Sequence, residues 1–279
     1  MRAHRFLVFA GTLVLSVVVL FARQQSAEND PDLNAGIKAY KEACYEDAKQ
    51  HFARAVAHDP ANVKAHMYLG TAYAQEYIPG ADSPENNMLG QRAIEQYKIV
   101  LELDAANANA VKGMAYLFTQ MKKFDDAEEQ YRKAIEIDPK DPENYYSIGV
   151  LDWTRTYQPR MELKAKLNLK PDKPLIRYAE CWSVRDANKE RVESGIQMLN
   201  KAIELRREYD DAMAYVNLMY RERADIQCGD AKANAEDLKT ADKWVDVTLA
   251  VKKVAEEQTK KKEIEQGGSS VTFSTNSPQ

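Results

Sequence analysis

Apolar residues recur three and four positions apart along most of the chain. The pattern is clearest in AKQHFARAVAHDPAN (48–62), AIEQYKIVLELDAAN (93–107), AEEQYRKAIEIDPKD (127–141) and GIQMLNKAIELRREY (195–209). A weaker fifth is ADKWVDVTLAVKKVA (241–255). Each opens on a small residue, sets a large apolar residue four later, and usually adds another small one three after that. This spacing puts all three on one helical face and predicts amphipathic helices. The small residues let a neighbouring helix approach, and the large one fills the space between. A partner helix precedes each stretch, with a residue at a hinge position: Gly36, Gly70, Ala115, Gly149 and Asn217. Tyr73, Phe118 and Tyr220 follow three residues after three of these hinges.

The hinge lies 12 residues before the small residue of the second helix in the first hairpin (Gly36, Ala48) and in the third (Ala115, Ala127). The second, fourth and fifth hairpins carry 11, 34 and 12 extra residues. In the second these include the breaker cluster Tyr77-Ile78-Pro79-Gly80-Ala81-Asp82-Ser83-Pro84. The first hairpin has Gly36, Tyr45, Ala48, Phe52, Ala55 and Pro60; the third has Ala115, Phe118, Phe124, Ala127, Tyr131, Ala134 and Pro139. In these positions the chain resembles the tetratricopeptide repeat (TPR), a helix–turn–helix unit of about 34 residues. The resemblance covers residues 30–255. It implies an all-α, TPR-like α-solenoid of about five helix–turn–helix repeats, with insertions in repeats 2, 4 and 5. Those repeats lack the closing proline; Ala105 and Arg207 stand in its place in the second and fourth. Solenoid insertions fall between helices and gather on one side, so the extra residues are expected to form excursions where specificity lies.

The two ends differ from this middle. Arg2 and Arg5 precede Phe6–Ala22, seventeen residues without a charge. That run is near the lower limit for a membrane span and also suits a secretory signal. Residues 1–27 are therefore expected to be a signal peptide or an N-terminal membrane anchor. The body is expected to be exported: periplasmic, anchored to the inner membrane by that helix or released after cleavage. Residues 256–279 are expected to be a charged extension without an apolar stripe, then a disordered tail from Gly267.

Composition narrows the function classes. Of 279 residues, 44% are hydrophobic and 29% charged, with a net charge of −4. This excludes a collagen, a wholly disordered chain and a basic nucleic-acid binder. Three cysteines make no disulfide framework, and four histidines leave little for a metal site. His51, His58 and His66 lack the i, i+4 zinc spacing and are read as surface residues. No nucleophile elbow, Walker loop or dinucleotide fingerprint occurs. The chain is read as no enzyme, with no metal or cofactor. The remaining enzymatic alternative requires a deep pocket formed by the insertions.

In TPR proteins the first helix of each repeat lines a concave groove. The register carried over from the resemblance makes Tyr40, Lys64, Met67, Asn109, Lys112, Tyr116, Tyr146 and Trp153 the candidates for holding a peptide. The Lys-x-x-Gly-Asn clamp for a C-terminal carboxylate is not supported, because Ile37, Thr71 and Val150 follow the hinge glycines. A second candidate surface is the basic insertion of repeat 4. Arg155, Arg160, Lys164, Lys166, Lys170, Lys173 and Arg177 face only Glu162 and Asp172 there, a net +5. Residues 161–169 are expected to form a short helix within it. The stretch is read either as an ordinary solvated insertion or as a contact for an acidic partner, anionic headgroups or, least of all, nucleic acid. Cys181 and Cys228 fall in adjacent insertions and are candidates for a disulfide in an oxidising compartment. Cys44 is read as a buried thiol.

The resemblance thus implies a noncatalytic protein–protein interaction scaffold of the bacterial cell envelope, binding partner segments in a groove. The alternative is an accessory subunit or periplasmic helper of an envelope enzyme or transport system, contacting it through the basic insertion. Either way the partners are proteins, with the membrane added if the N-terminal segment is retained, and no nucleic acid is expected.

Overall fold

The computed structural model describes residues 30–267, and the side chains as far as 262. The expected leader (1–27) and the tail beyond 267 lie outside them. The described residues form ten α-helices in five antiparallel hairpins: α1 (Pro31–Lys41) with α2 (Tyr45–His58), α3 (Val63–Glu76) with α4 (Pro84–Leu103), and α5 (Ala108–Gln120) with α6 (Phe124–Ile137). Then come α7 (Pro142–Lys166) with α8 (Glu180–Leu205), and α9 (Asp210–Asp225) with α10 (Ala231–Gly267). The chain divides into two compact units between Ile137 and Asp138. The first holds α1–α6, each helix packed on its chain neighbours; the second holds α7–α10 in the same manner.

The cores follow the sequence pattern. Ala48, Phe52 and Ala55 of α2 meet Leu33 of α1 and Ala65, Leu69 and Ala72 of α3. Ala93, Ile94, Tyr97 and Val100 of α4 meet Ala110, Met114 and Leu117 of α5. In the second unit Val192, Ile196, Leu199 and Ala202 of α8 meet Ala212, Val216 and Met219 of α9. Close approach is what the small residues permit. A Cβ at Gly36 would stand 2.5 Å from the Phe52 ring, where no atom fits.

The turns between hairpins share one construction. The Asp59 carboxylate accepts from Ala61 N (3.1 Å), Asp104 from Ala106 N (3.3 Å) and Asp138 from Lys140 N (3.0 Å). Three residues after the first two of these aspartates, Asn62 and Asn107 cap α3 and α5 by accepting from Ala65 N and Ala110 N. Asp141 caps α7 through Glu143 N. The tight turn inside the first and third hairpins is different. Ala43 and Lys122 take left-handed φ values of 60° and 57°. Cys44 N then reaches Ala39 O and Lys123 N reaches Phe118 O, the six-to-one bond of a Schellman ending.

The extra residues do not form excursions, as the solenoid rule suggested. They lengthen helices, with connecting loops of 7, 13 and 5 residues in hairpins two, four and five against 3 in the plain ones. Residues 161–169 are not a separate short helix: α7 runs unbroken to Lys166, with Pro159 inside it. A helical residue satisfies its own backbone and adds packing surface, whereas a long loop leaves polar backbone to be solvated. The 77–83 loop is held by one buried side chain. Asn86 donates to Ile78 O (2.9 Å) and Ala81 O (2.8 Å) and accepts from Ile78 N (2.8 Å).

The missing proline of the second repeat is not structural. Asp104 adopts φ −144°, ψ 88°, close to the φ −133°, ψ 93° of Asp59, which precedes Pro60. Residue 105 thus already sits in a proline-compatible turn. Ala105→Pro is expected to stabilise the protein by about 0.4–1 kcal/mol by reducing unfolded-state entropy, read as a raised denaturation midpoint with an unchanged m-value.

Candidate functional site

Tyr146 and Trp153, both chosen from the groove register, lie seven residues apart and so share one face of α7. Rings from α9 and the turn before it join them into a chain. Tyr209 meets Tyr146 at a centroid distance of 5.0 Å, Tyr146 meets Tyr215 at 5.7 Å, and Tyr215 meets Trp153 at 5.4 Å. Trp153 stacks on Tyr157 at 4.8 Å. Tilted, edge-on and offset pairs of this kind are the favoured arrangements of aromatic quadrupoles. Tyr209 is buried and the other four are half-buried, so the ladder rests on the core and still offers ring surface. Its Tyr209 end is fixed by Glu143, which accepts from the Tyr209 hydroxyl (2.5 Å) and from Arg206 (2.7 Å). Burial first, then Tyr215, Asp211 and Glu143, push the Tyr146 phenol up to about 12. Burial and Asp211 raise Tyr215 as well. Tyr146 and Tyr215 are therefore neutral hydrogen-bonding phenols at physiological pH.

Tyr209, Tyr215 and Tyr157 were not among the groove candidates read from the sequence. Tyr215 stands two residues before the hinge position Asn217, whereas the groove candidates stand six and three residues before a hinge or one and four after it, so the register passes it by.

In the first unit the candidates are dispersed. Tyr40 packs edge-on against Tyr45 (5.3 Å) and Tyr68 (6.4 Å). Met67 is packed against the α4–α5 core. Lys64 and Asn109 are exposed, Lys112 is half-buried, and Tyr116 is 55% exposed. No ring contact joins Tyr116 to another aromatic among the described residues.

The basic insertion is corrected in part. Arg160 and Lys164 are not solvated cations; Lys164 is 2% exposed. Arg160 makes a two-pronged contact with Glu222 of α9 (Nε to Oε2, 2.7 Å; Nη2 to Oε1, 2.6 Å) and also donates to Asp225. Lys164 Nζ lies 2.5 Å from Asp225 Oδ2 and donates to Pro171 O at 2.8 Å. Two cations thus face two carboxylates away from water. Burial pushes the Glu222 carboxyl up and the Lys164 amine down, while the opposite charges pull each back. The reason a linear charge sum misses this is distance: the neutralising carboxylates lie about 60 residues further along, as the separations of 62 and 65 show. A signal was present nonetheless. Arg160 and Lys164 are spaced i, i+4, and Glu222 and Asp225 i, i+3, so each pair shares one helical face. Of the rest, Arg155 is half-buried, whereas Lys166, Lys170, Lys173 and Arg177 are exposed.

Beside this cluster a disulfide joins Cys181, in the first turn of α8, to Cys228, in the α9–α10 turn. It packs with Leu175 in a small satellite core. Two further readings are corrected. Cys44 is exposed, at the N-cap position of α2 in a three-residue turn, where its side chain makes no capping hydrogen bond. His66 is 3% exposed, with Nδ1 2.7 Å from Gln96 Oε1 and Nε2 3.1 Å from Pro60 O.

Two family models match the chain. One, described as TPR repeat, covers residues 115–153, and another, described as tetratricopeptide repeat, covers 33–76. Among solved structures, MamA (residues 41 to the end) from Desulfovibrio magneticus RS-1 is 17% identical with a TM-score of 0.53, covering 79% of this chain and 93% of that one. Another MamA crystal structure is 16% identical, with a TM-score of 0.53 over 80% of this chain and 90% of the other. YrrB, described as a TPR protein with an unusual peptide-binding site, is 13% identical, with a TM-score of 0.50 over 83% and 97%. No curated protein matches in sequence. The likeness concerns the fold, which is all-α and TPR-like.

Two outcomes are expected for the second unit. Asp225→Ala leaves Lys164 and Arg160 buried beside too little negative charge, and is expected to cost about 3–5 kcal/mol. Thermal unfolding should show it, whereas Asp172→Ala, removing an exposed partner of Lys173, leaves the midpoint in place. Alkylation of the denatured, unreduced protein followed by intact mass should find one modified thiol, Cys44; three would contradict the disulfide.

Proposed function

We propose that this protein is a noncatalytic protein–protein interaction scaffold whose second unit holds a partner segment along the α7–α9 aromatic ladder. The observation that carries this reading is the chain of five rings, four of them half-buried, on the first helices of consecutive repeats and the turn between those repeats. Rings fixed against a core offer large contact area with little side-chain entropy left to lose. The TPR repeat matches and the TPR-like fold support a scaffold, and TPR-repeat proteins are generally noncatalytic. The partner is an extended or helical peptide with apolar anchors, which the phenol groups keep in register.

The setting we propose is the bacterial cell envelope, on the exported side. The uncharged run Phe6–Ala22 supports it. So does the buried Cys181–Cys228 disulfide, since such bonds persist in oxidising compartments and are rare in the cytosol. The alternative, a helper docking through the repeat-4 insertion, retains only the exposed cations as contacts. Deleting 155–177 does not test it, because that would remove the last turns of α7 and the buried ion pairs with them.

Crosslinking and pulldown from the membrane fraction would capture the partner, and its affinity for variants would locate the contact. Tyr146→Ala and Tyr215→Ala are each expected to weaken binding by about 2 kcal/mol, roughly 30-fold, in protein whose circular dichroism confirms folding. Tyr116→Ala should leave it unchanged. Equal binding by all three would overturn the ladder as the site.

A further inference from the structure

We propose that the loop end of the α7–α8 hairpin docks on a membrane surface rich in anionic lipid headgroups. This goes beyond the peptide reading and uses other side chains. Once Arg160 and Lys164 are neutralised inside the protein, the remaining cations of the stretch sort to its tip. Lys166, Lys170, Lys173 and Arg177 are all exposed. Against them stand the exposed carboxylates of Glu162, Asp172, Glu180 and Asp186; Asp172 is already 3.5 Å from Lys173, and Glu162 accepts from Gln158 at 3.0 Å. Two amphipathic rings share the tip. Trp182 is 53% exposed and Tyr178 37%. Arg185 lies 5.5 Å above the Trp182 ring and adds a fifth cation to the patch.

Exposed indole and phenol beside lysine and arginine is the composition that settles at the headgroup level of a bilayer. The rings enter the interface while the cations pair with phosphates. A flat anionic surface needs no pocket, only cations and rings presented together on a fixed loop. The structure provides that fixity. The loop is pinned from beneath by buried Leu175 and Ile176. Lys164 Nζ holds Pro171 O, Asp225 Oδ1 accepts from Leu175 N at 3.4 Å, and Gly229 N donates to Ile176 O at 2.9 Å. The Cys181–Cys228 disulfide ties the first turn of α8 to the same place. Little ordering entropy is therefore spent when the tip meets a surface.

The test uses the full chain with vesicles of phosphatidylcholine, with and without phosphatidylglycerol, carrying brominated lipid. Trp182 is read as the difference in quenching between the natural protein and Trp182→Phe. Quenching of Trp182 is expected only with anionic vesicles and should fade at high salt. Each cation near the surface contributes about fivefold to binding. Lys173→Glu should thus lower the anionic preference at least fivefold, and K170E/K173E/R177E by about 100-fold or more. Circular dichroism and the single alkylatable thiol confirm that each variant is folded, and Lys173→Glu alone decides the matter if the triple variant is not. Tyr146→Ala should leave vesicle binding intact, which separates this proposal from the peptide reading. Quenching that ignores lipid charge, or survives charge reversal, overturns it. So does an acidic protein retained by the tip in detergent together with no preference for anionic vesicles.

Discussion

Everything in this fold depends on how closely paired helices approach. The approach is set where a small residue on one helix faces a large one on the other. Gly36 lies under Phe52, Gly70 under Tyr97 and Gly149 under Leu199. With no side chain on one side, the backbone of that helix becomes part of the core, and the ring or leucine opposite fills the whole interval. Repeating the device hairpin after hairpin gives each core its run of alanines: Ala48, Ala55, Ala65 and Ala72 in one, Ala93 and Ala110 in the next. The caps and Asp-based turns then fix where each helix begins, so that the small and large positions meet in register.

Lengthening a hairpin strains this economy, and α7–α8 shows the solution. Leu163 and Val184 carry the apolar core into its extra turns. Beside them the packing is made from charge: Arg160 and Lys164 against Glu222 and Asp225, bounded by a disulfide and by Leu175. A buried ion pair contributes little net stability compared with a well-packed apolar contact, but it tolerates no shift in register. Fork-like arginine on Glu222 and point-charge lysine on Asp225 specify one alignment of α7 with α9. The thirteen-residue loop between α7 and α8 is held to that alignment through Asp225 and Pro171.

The hairpins were legible in the sequence because their information is local. Helical periodicity, small-x3-large spacing and the closing proline all act within a few residues. What the sequence hid was of two kinds. One was the destination of the surplus residues, which read as insertions in the alignment and turn out to be helix. A spacing count cannot separate the two, since both lengthen the interval between hinge and second helix. The other was pairing across long separations. Arg160 and Lys164 looked like members of a basic stretch because their carboxylates sit in another repeat, and His66 looked like a surface residue because Gln96 lies 30 positions on. The aromatic ladder was half legible: Tyr146 and Trp153 follow from the register of a well-formed repeat, while Tyr209 and Tyr215 belong to one whose hinge is Asn217 rather than a small residue.

The ladder and the charge cluster are one assembly rather than two. The Arg160 guanidinium that binds Glu222 and Asp225 also stands 5.5 Å over the Tyr157 ring, and Tyr157 stacks on Trp153. At the other end Tyr209 carries the Arg206 guanidinium on its face at 4.3 Å and shares Glu143 with it. Five rings are thus clamped between two arginines, each fixed by a carboxylate. Cations over aromatic faces hold the terminal rings without covering the middle ones. Tyr146, Tyr215 and Trp153 are therefore immobilised through their neighbours and keep an open side. A surface that is both apolar and rigid arises here because its restraint comes from the ends, which leaves the centre free to meet something else.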